Sequence, residues 1–121
     1  MKKSLCFLLI IFLSFVGPSL AGEADVLDVK VMVSEDTTYT FDVTLSHSDT
    51  GWEHYANKWE ILDENDEIIG TRILHHPHVN EQPFTRSLSS VEISGDTREI
   101  TIRAHDSVHE YGGKVIRVRL P

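Results

Sequence analysis

The chain has 121 residues, 25% of them charged, and a formal net charge of −8 at pH 7. This acidic balance argues against nucleic acid or anionic lipid as a partner, because both would repel the protein. A single cysteine excludes a disulfide framework, and the length suits one domain with one modest core.

Residues 1–21 have the pattern of a signal peptide helix. Lys2 and Lys3 precede an apolar run over residues 5–16, and small residues lead up to Ala21. The run is shorter than the roughly 20 residues that a membrane span needs. We therefore expect an exported protein, periplasmic or extracellular, cleaved after Ala21 or, as the alternative, after Ala24.

Residues 22–121 form the predicted mature domain. It contains no cysteine, because Cys6 lies inside the signal peptide and lacks the small-residue context of a lipoprotein cleavage site. Removal of Lys2 and Lys3 brings the formal charge to −10. We expect no membrane contact after cleavage, and a charge balance compatible with cation binding.

Alternation of apolar and polar residues predicts seven short strands. The clearest strand contains Phe41, Val43 and Leu45, which alternate with polar residues. The other strands are predicted within residues 28–33, 58–61, 68–73, 88–93, 100–105 and 116–120. Turn residues separate them, which favours an all-β domain: a seven-stranded antiparallel Greek-key β-sandwich.

Two features resemble immunoglobulin-like domains. Trp59, on the third predicted strand, matches their buried tryptophan, and residues 100–106 resemble the sixth strand of fibronectin-III and cadherin-type domains. This resemblance implies an immunoglobulin-like sandwich and says nothing about function. Residues 70–86, 104–109 and 111–113 are together similar to small exported bacterial proteins of unassigned function, which implies export and a β fold only.

The strand order of such a sandwich brings the histidines together. Strands two, four and six end at one pole, and strands three and seven begin there. On that topology every histidine falls at the same pole: His47, His54, His75, His76, His78, His105 and His109.

This pole is predicted to bind a divalent transition metal. Imidazole nitrogens and carboxylate oxygens suit Zn(II) or Cu(II), and Pro77 favours an extended backbone that sends His76 and His78 to the same side. The predicted ligands are His76, His78, His105 and His109. Further ligands, or groups that orient the ligating rings, are sought among His75, His54, Glu81 and Asp106.

Two other functions remain open on the sequence. The pole could be metal-free, with His47 and His54 as solvated loop residues, in a module for adhesion or interaction with another exported protein. A small metal-dependent hydrolase is the third hypothesis, because an open zinc position activates water. The sequence contains no nucleophile elbow, so binding is expected rather than catalysis.

Overall fold

The computed structural model describes residues 22–121, so the predicted signal peptide lies outside the described residues. Within this range there are seven strands and no helix, hence none that is long and apolar enough to cross a membrane. The strands are β1 Asp25–Val33, β2 Tyr39–Ser46, β3 Ala56–Leu62, β4 Ile68–Ile73, β5 Phe84–Val91, β6 Glu99–Asp106 and β7 Ile116–Arg119.

The strands form two sheets, with order β1-β2-β5 in one and β4-β3-β6-β7 in the other. All neighbouring strands are antiparallel. The prediction of an all-β domain with seven strands in antiparallel sheets is therefore confirmed.

The core lies between the sheets and uses the alternating positions that the sequence pattern indicated. Phe41 and Val43 of β2 are fully buried, as are Trp59 of β3 and Ile102 of β6. Each large apolar side chain removed from water contributes about 1.5–3 kcal/mol, which makes this layer the main source of stability.

Two strands begin three or more residues earlier than predicted. The first starts at Asp25 because Val26 is buried and its N–H donates to the carbonyl of Lys114 at 2.9 Å. The fifth starts at Phe84, which pairs with Leu45 and lies in the core. Polar residues follow Phe84, so the sequence shows no apolar–polar alternation at the start of this strand.

A polar network covers the outer side of the four-stranded sheet around Glu60. This side chain points away from its buried neighbour Trp59, as alternation requires, yet Glu60 is only 1% exposed. Its carboxylate accepts hydrogen bonds from Arg103 Nε at 2.8 Å and Tyr111 Oη at 3.0 Å, and it lies 3.2 Å from Lys58 Nζ. These three groups compensate the buried charge.

One end of the domain carries all the histidines. Strand pairs such as Ala56 with Asp106 and Lys58 with Ile73 show that β3 begins where β4 and β6 end. The bond from Ala56 N to the Asp49 carboxylate, at 3.0 Å, joins the end of β2 to the same region. We call this region, formed by residues 47–55, 74–83 and 105–113 with the adjoining Gly22, the histidine end.

Candidate metal centre

His47 follows directly on β2 and is held by Asp49. The N–H of Asp49 donates to the His47 carbonyl at 2.9 Å, a tight turn that places the carboxylate beside the ring. Nδ1 of His47 lies 2.5 Å from Oδ1 of Asp49. A hydrogen on Nδ1 satisfies this contact and directs the Nε2 lone pair toward the centre.

Asp49 is itself fixed by the backbone. Its Oδ1 accepts the Ala56 N–H at 3.0 Å, and its Oδ2 accepts the His78 N–H at 2.7 Å. The side chains of His47 and Asp49 are both inaccessible to solvent. The orientation of the His47 ring is therefore set before any ligand arrives.

His54 lies in the loop between β2 and β3. A turn presents it: the His54 N–H donates to Gly51 O at 3.2 Å, and the Thr50 N–H donates to His54 O at 3.0 Å. The side chain is 22% exposed, and its Nε2 lies 3.3 Å from Nε2 of His47. The two rings meet edge to face with centroids 4.8 Å apart.

Asp106, the last residue of β6, supplies a carboxylate. Its Oδ1 accepts the N–H groups of Val108 and His109, at 2.8 and 2.7 Å, and lies 3.2 Å from His54 Nε2. Its Oδ2 is buried, has no hydrogen-bond partner among residues 22–121 and lies 3.9 Å from His47 Nε2. Burying a carboxylate oxygen without a partner is costly, and a cation bound beside Oδ2 would compensate that cost.

The carbonyl oxygen of Gly22 is a fourth donor. It lies 2.8 Å from His47 Nε2 and 3.3 Å from His54 Nε2. In a tetrahedral site with bonds of about 2.0–2.1 Å, ligand atoms are separated by about 3.3–3.4 Å. The two imidazoles lie 2.8–3.3 Å from each other and from this oxygen, and 3.2 and 3.9 Å from the two oxygens of Asp106, distances that bracket that value.

The charge of the cluster also suits a divalent cation. Asp49 and Asp106 place two buried carboxylates around the two imidazoles. Removing each carboxylate from water costs several kcal/mol unless an opposite charge compensates it. A cation of charge +2 would balance both while taking the unused oxygen of Asp106.

The centre opens to solvent through a cleft of about 780 Å³. Gly22, His47 and His54 contribute to its wall, together with Glu23 and Lys114. An ion could therefore enter beside the His54 side chain, which is 22% exposed, whereas the His47 ring behind it is inaccessible to solvent.

Of the predicted ligands, His78 lies beside this centre, because its N–H donates to Asp49, and His76 lies next to His78. His78 is buried and stacks on Phe84, with centroids 4.0 Å apart and planes at 10°. Burial, with contributions from Arg86 and His76, lowers the pKa of His78. Both of its ring nitrogens are buried and have no hydrogen-bond partner in the part of the chain that the structure describes. The exposed His76 ring lies 4.8 Å away.

His105 and His109 point to different surroundings. His105 Nδ1 lies 2.6 Å from Asn57 Oδ1, and its ring contacts Tyr111 on the outer side of the sheet. Burial, followed by the Lys58 charge, lowers the pKa of His105. The His109 ring packs against His54 with centroids 5.0 Å apart, so it borders the centre.

Two of the remaining candidates lie at the surface. Glu81 is exposed and pairs with Arg86 at 3.1 Å, and His75 is exposed. Among residues 22–121, the group that brings three ligand atoms within 4.8 Å of one another is His47, His54 and Asp106. His76, His78, His105 and His109 are not gathered in this way, and their assignment stays a prediction.

The sequence pattern indicated His54 and Asp106 only as further ligands or orienting groups, and it did not indicate Asp49 or Gly22. It treated His47 as a solvated loop residue in the metal-free alternative, whereas the ring is buried. The signal that could have found it is the His-Ser-Asp sequence at residues 47–49, where a carboxylate two residues later can hold the ring.

Comparison with known proteins gives one relative. A protein of Halomicrobium mukohataei named “Putative lipoprotein” is 36% identical over 96 residues, which are 79% of this chain and 47% of the relative. The chain thus spans about half the length of that relative. No family model matches the chain, and no solved structure shows a significant match.

Proposed function

We propose that this protein is an exported binder of a divalent transition metal, Zn(II) or Cu(II). The ligands are His47 Nε2, His54 Nε2 and a carboxylate oxygen of Asp106, with the Gly22 carbonyl as fourth donor. The observation that carries the proposal is the pairwise spacing of these donors, 2.8–3.9 Å, together with an Asp106 oxygen that is buried without a hydrogen-bond partner among residues 22–121.

Hydrogen bonds that fix the ligand side chains support metal binding rather than an accidental contact between these side chains. Asp49 holds the Nδ1 side of the His47 ring, and two backbone N–H groups hold Asp106. A carboxylate behind a ligating imidazole fixes its orientation and raises its basicity, as in known metal sites. The histidine end therefore presents ligands that are already in place.

Fold and export complete the proposal. The sheet orders β1-β2-β5 and β4-β3-β6-β7 support an immunoglobulin-like Greek key, with Trp59 as its buried tryptophan. The name of the relative supports export. We propose cleavage after Ala21 and release to the periplasm or the extracellular space; lipidation and membrane anchoring are the competing outcome, separated by the mass of the exported protein.

Calorimetric titration with Zn(II) and with Cu(II) tests the proposal. We expect one equivalent to bind the wild-type protein and at least about tenfold weaker binding to His54→Gln. The matched control is His76→Ala/His105→Ala, which should bind like wild type. Loss of binding in the control alone would restore the ligand set predicted from the sequence, and equal heats from all three proteins would remove both sets.

A second candidate is an interaction module. Three apolar side chains are exposed near the centre: Trp52 at 65%, Val108 at 53% and Val79 at 50%. Exposed aromatic and aliphatic groups favour a protein contact. Capture of an exported partner in the presence of chelator, abolished by Trp52→Ser, would support this function; capture that survives the substitution would argue against this surface.

A further inference from the structure

Gly22 occupies a special place at the centre. Its carbonyl oxygen lies against both ligating Nε2 atoms, at 2.8 and 3.3 Å. Its backbone has a φ of +145°, and a Cβ there would lie 2.3 Å from Nε2 of His109. Any side chain at this position would displace the ring that packs on His54, so glycine is required here.

The same residue follows Ala21, after which the sequence predicts signal cleavage. Before cleavage the nitrogen of Gly22 is an amide, whose lone pair is delocalised into the peptide bond. Hydrolysis of the Ala21–Gly22 bond by water gives a carboxylate on Ala21 and an ammonium group on Gly22, which releases one proton when its nitrogen binds a metal ion. An amine nitrogen and the carbonyl oxygen of its own residue close a five-membered ring on one metal ion.

We propose that cleavage after Ala21 completes the metal centre, with the α-amino group of Gly22 as an additional ligand. This inference rests on the proposed function. Maturation then switches the site from four donors to five, and the precursor holds metal more weakly than the exported protein. A nitrogen-rich donor set of this kind favours Cu(II) over Zn(II).

Two preparations test the inference. One starts at Gly22, and the other carries Ser19, Leu20 and Ala21 before it; residues 22–121 contain all seven strands in both. We expect the Gly22 protein to bind Cu(II) at least about tenfold more tightly. Its bound Cu(II) should also show coupling to one more nitrogen by electron paramagnetic resonance.

The outcomes separate the two proposals. Equal affinities and equal nitrogen coupling would overturn the role of the amine and leave the His47, His54 and Asp106 site standing. If neither of the two preparations binds metal, both the proposed metal site and the role of the amine are overturned. The full chain, exported by a host and weighed by mass spectrometry, should begin at Gly22; any other first residue would also overturn the inference.

Discussion

Replacing Asp106 by asparagine separates metal binding from folding. Asparagine keeps an oxygen that can accept the N–H groups of Val108 and His109, and it replaces the unpartnered Oδ2 by an uncharged amide. We expect the metal-free variant to unfold with a free energy within about 1 kcal/mol of wild type. The carboxylate is then needed for the ion rather than for the fold.

The contribution of metal binding to the free energy of unfolding can be calculated. At a free metal concentration of about 100 times Kd, binding adds about 2.7 kcal/mol to the free energy of unfolding. For a domain of residues 22–121 that raises Tm by about 10–20 °C. A tenfold weaker site retains about 1.4 kcal/mol at the same concentration, which roughly halves the shift.

Thermal unfolding followed by circular dichroism, with chelator and with Zn(II), measures both quantities. The matched control is Asp96→Asn, an exposed carboxylate in the turn before β6, which should behave like wild type. A variant of Asp106 that loses several kcal/mol without metal, yet keeps the full metal-dependent rise in Tm, would refute the reasoning.

Three further predictions concern the surroundings of the centre. Burial alone would raise the pKa of Glu60, but its three hydrogen-bonding partners lower it below its ordinary value of 4.5. The resulting stability is present above pH 4.5 and is lost as the pH falls through the lower folded pKa, so urea unfolding of Glu60→Gln should depend less on pH in that range. Because the pKa of His78 is lowered in the folded protein, its contribution to stability is complete above about pH 6.5 and declines below that pH, where the unfolded chain binds the proton first. His78→Phe should reduce the difference between the urea midpoints at pH 7.5 and pH 5.0, and an unchanged difference would assign the effect to other histidines. In Gly113→Ala, the new Cβ would overlap the Ala24 carbonyl, so we expect the free energy of unfolding to fall by about 1–3 kcal/mol together with weaker metal binding. Gly95→Ala, with open space around the new Cβ, should show neither effect.

The fold could be predicted because each strand carries its own signal. Phe41, Val43 and Leu45 alternate with polar residues, and burial of one face of β2 follows directly from that spacing. The start of β5 was missed because Phe84 is followed by polar residues and gains its place from pairing with Leu45. Pairing partners are a property of the whole sheet and leave no local pattern.

The centre was only half predictable for the same reason. Strand order placed the histidines at one end, but the register between β3 and β6 decides that Asp106 faces the loop carrying His54. His105, one residue earlier, points to the opposite side of the sheet because side chains alternate along a strand. A shift of one residue would have exchanged these two roles.

We propose above all that His47, His54 and Asp106 bind the ion. A crystal structure of the Zn(II)-loaded protein, with the ion located by its anomalous scattering, tests this most directly. We expect one ion about 2.0–2.2 Å from Nε2 of His47, Nε2 of His54 and an oxygen of Asp106. An ion held instead between His76 and His78, or at His105, would contradict the account.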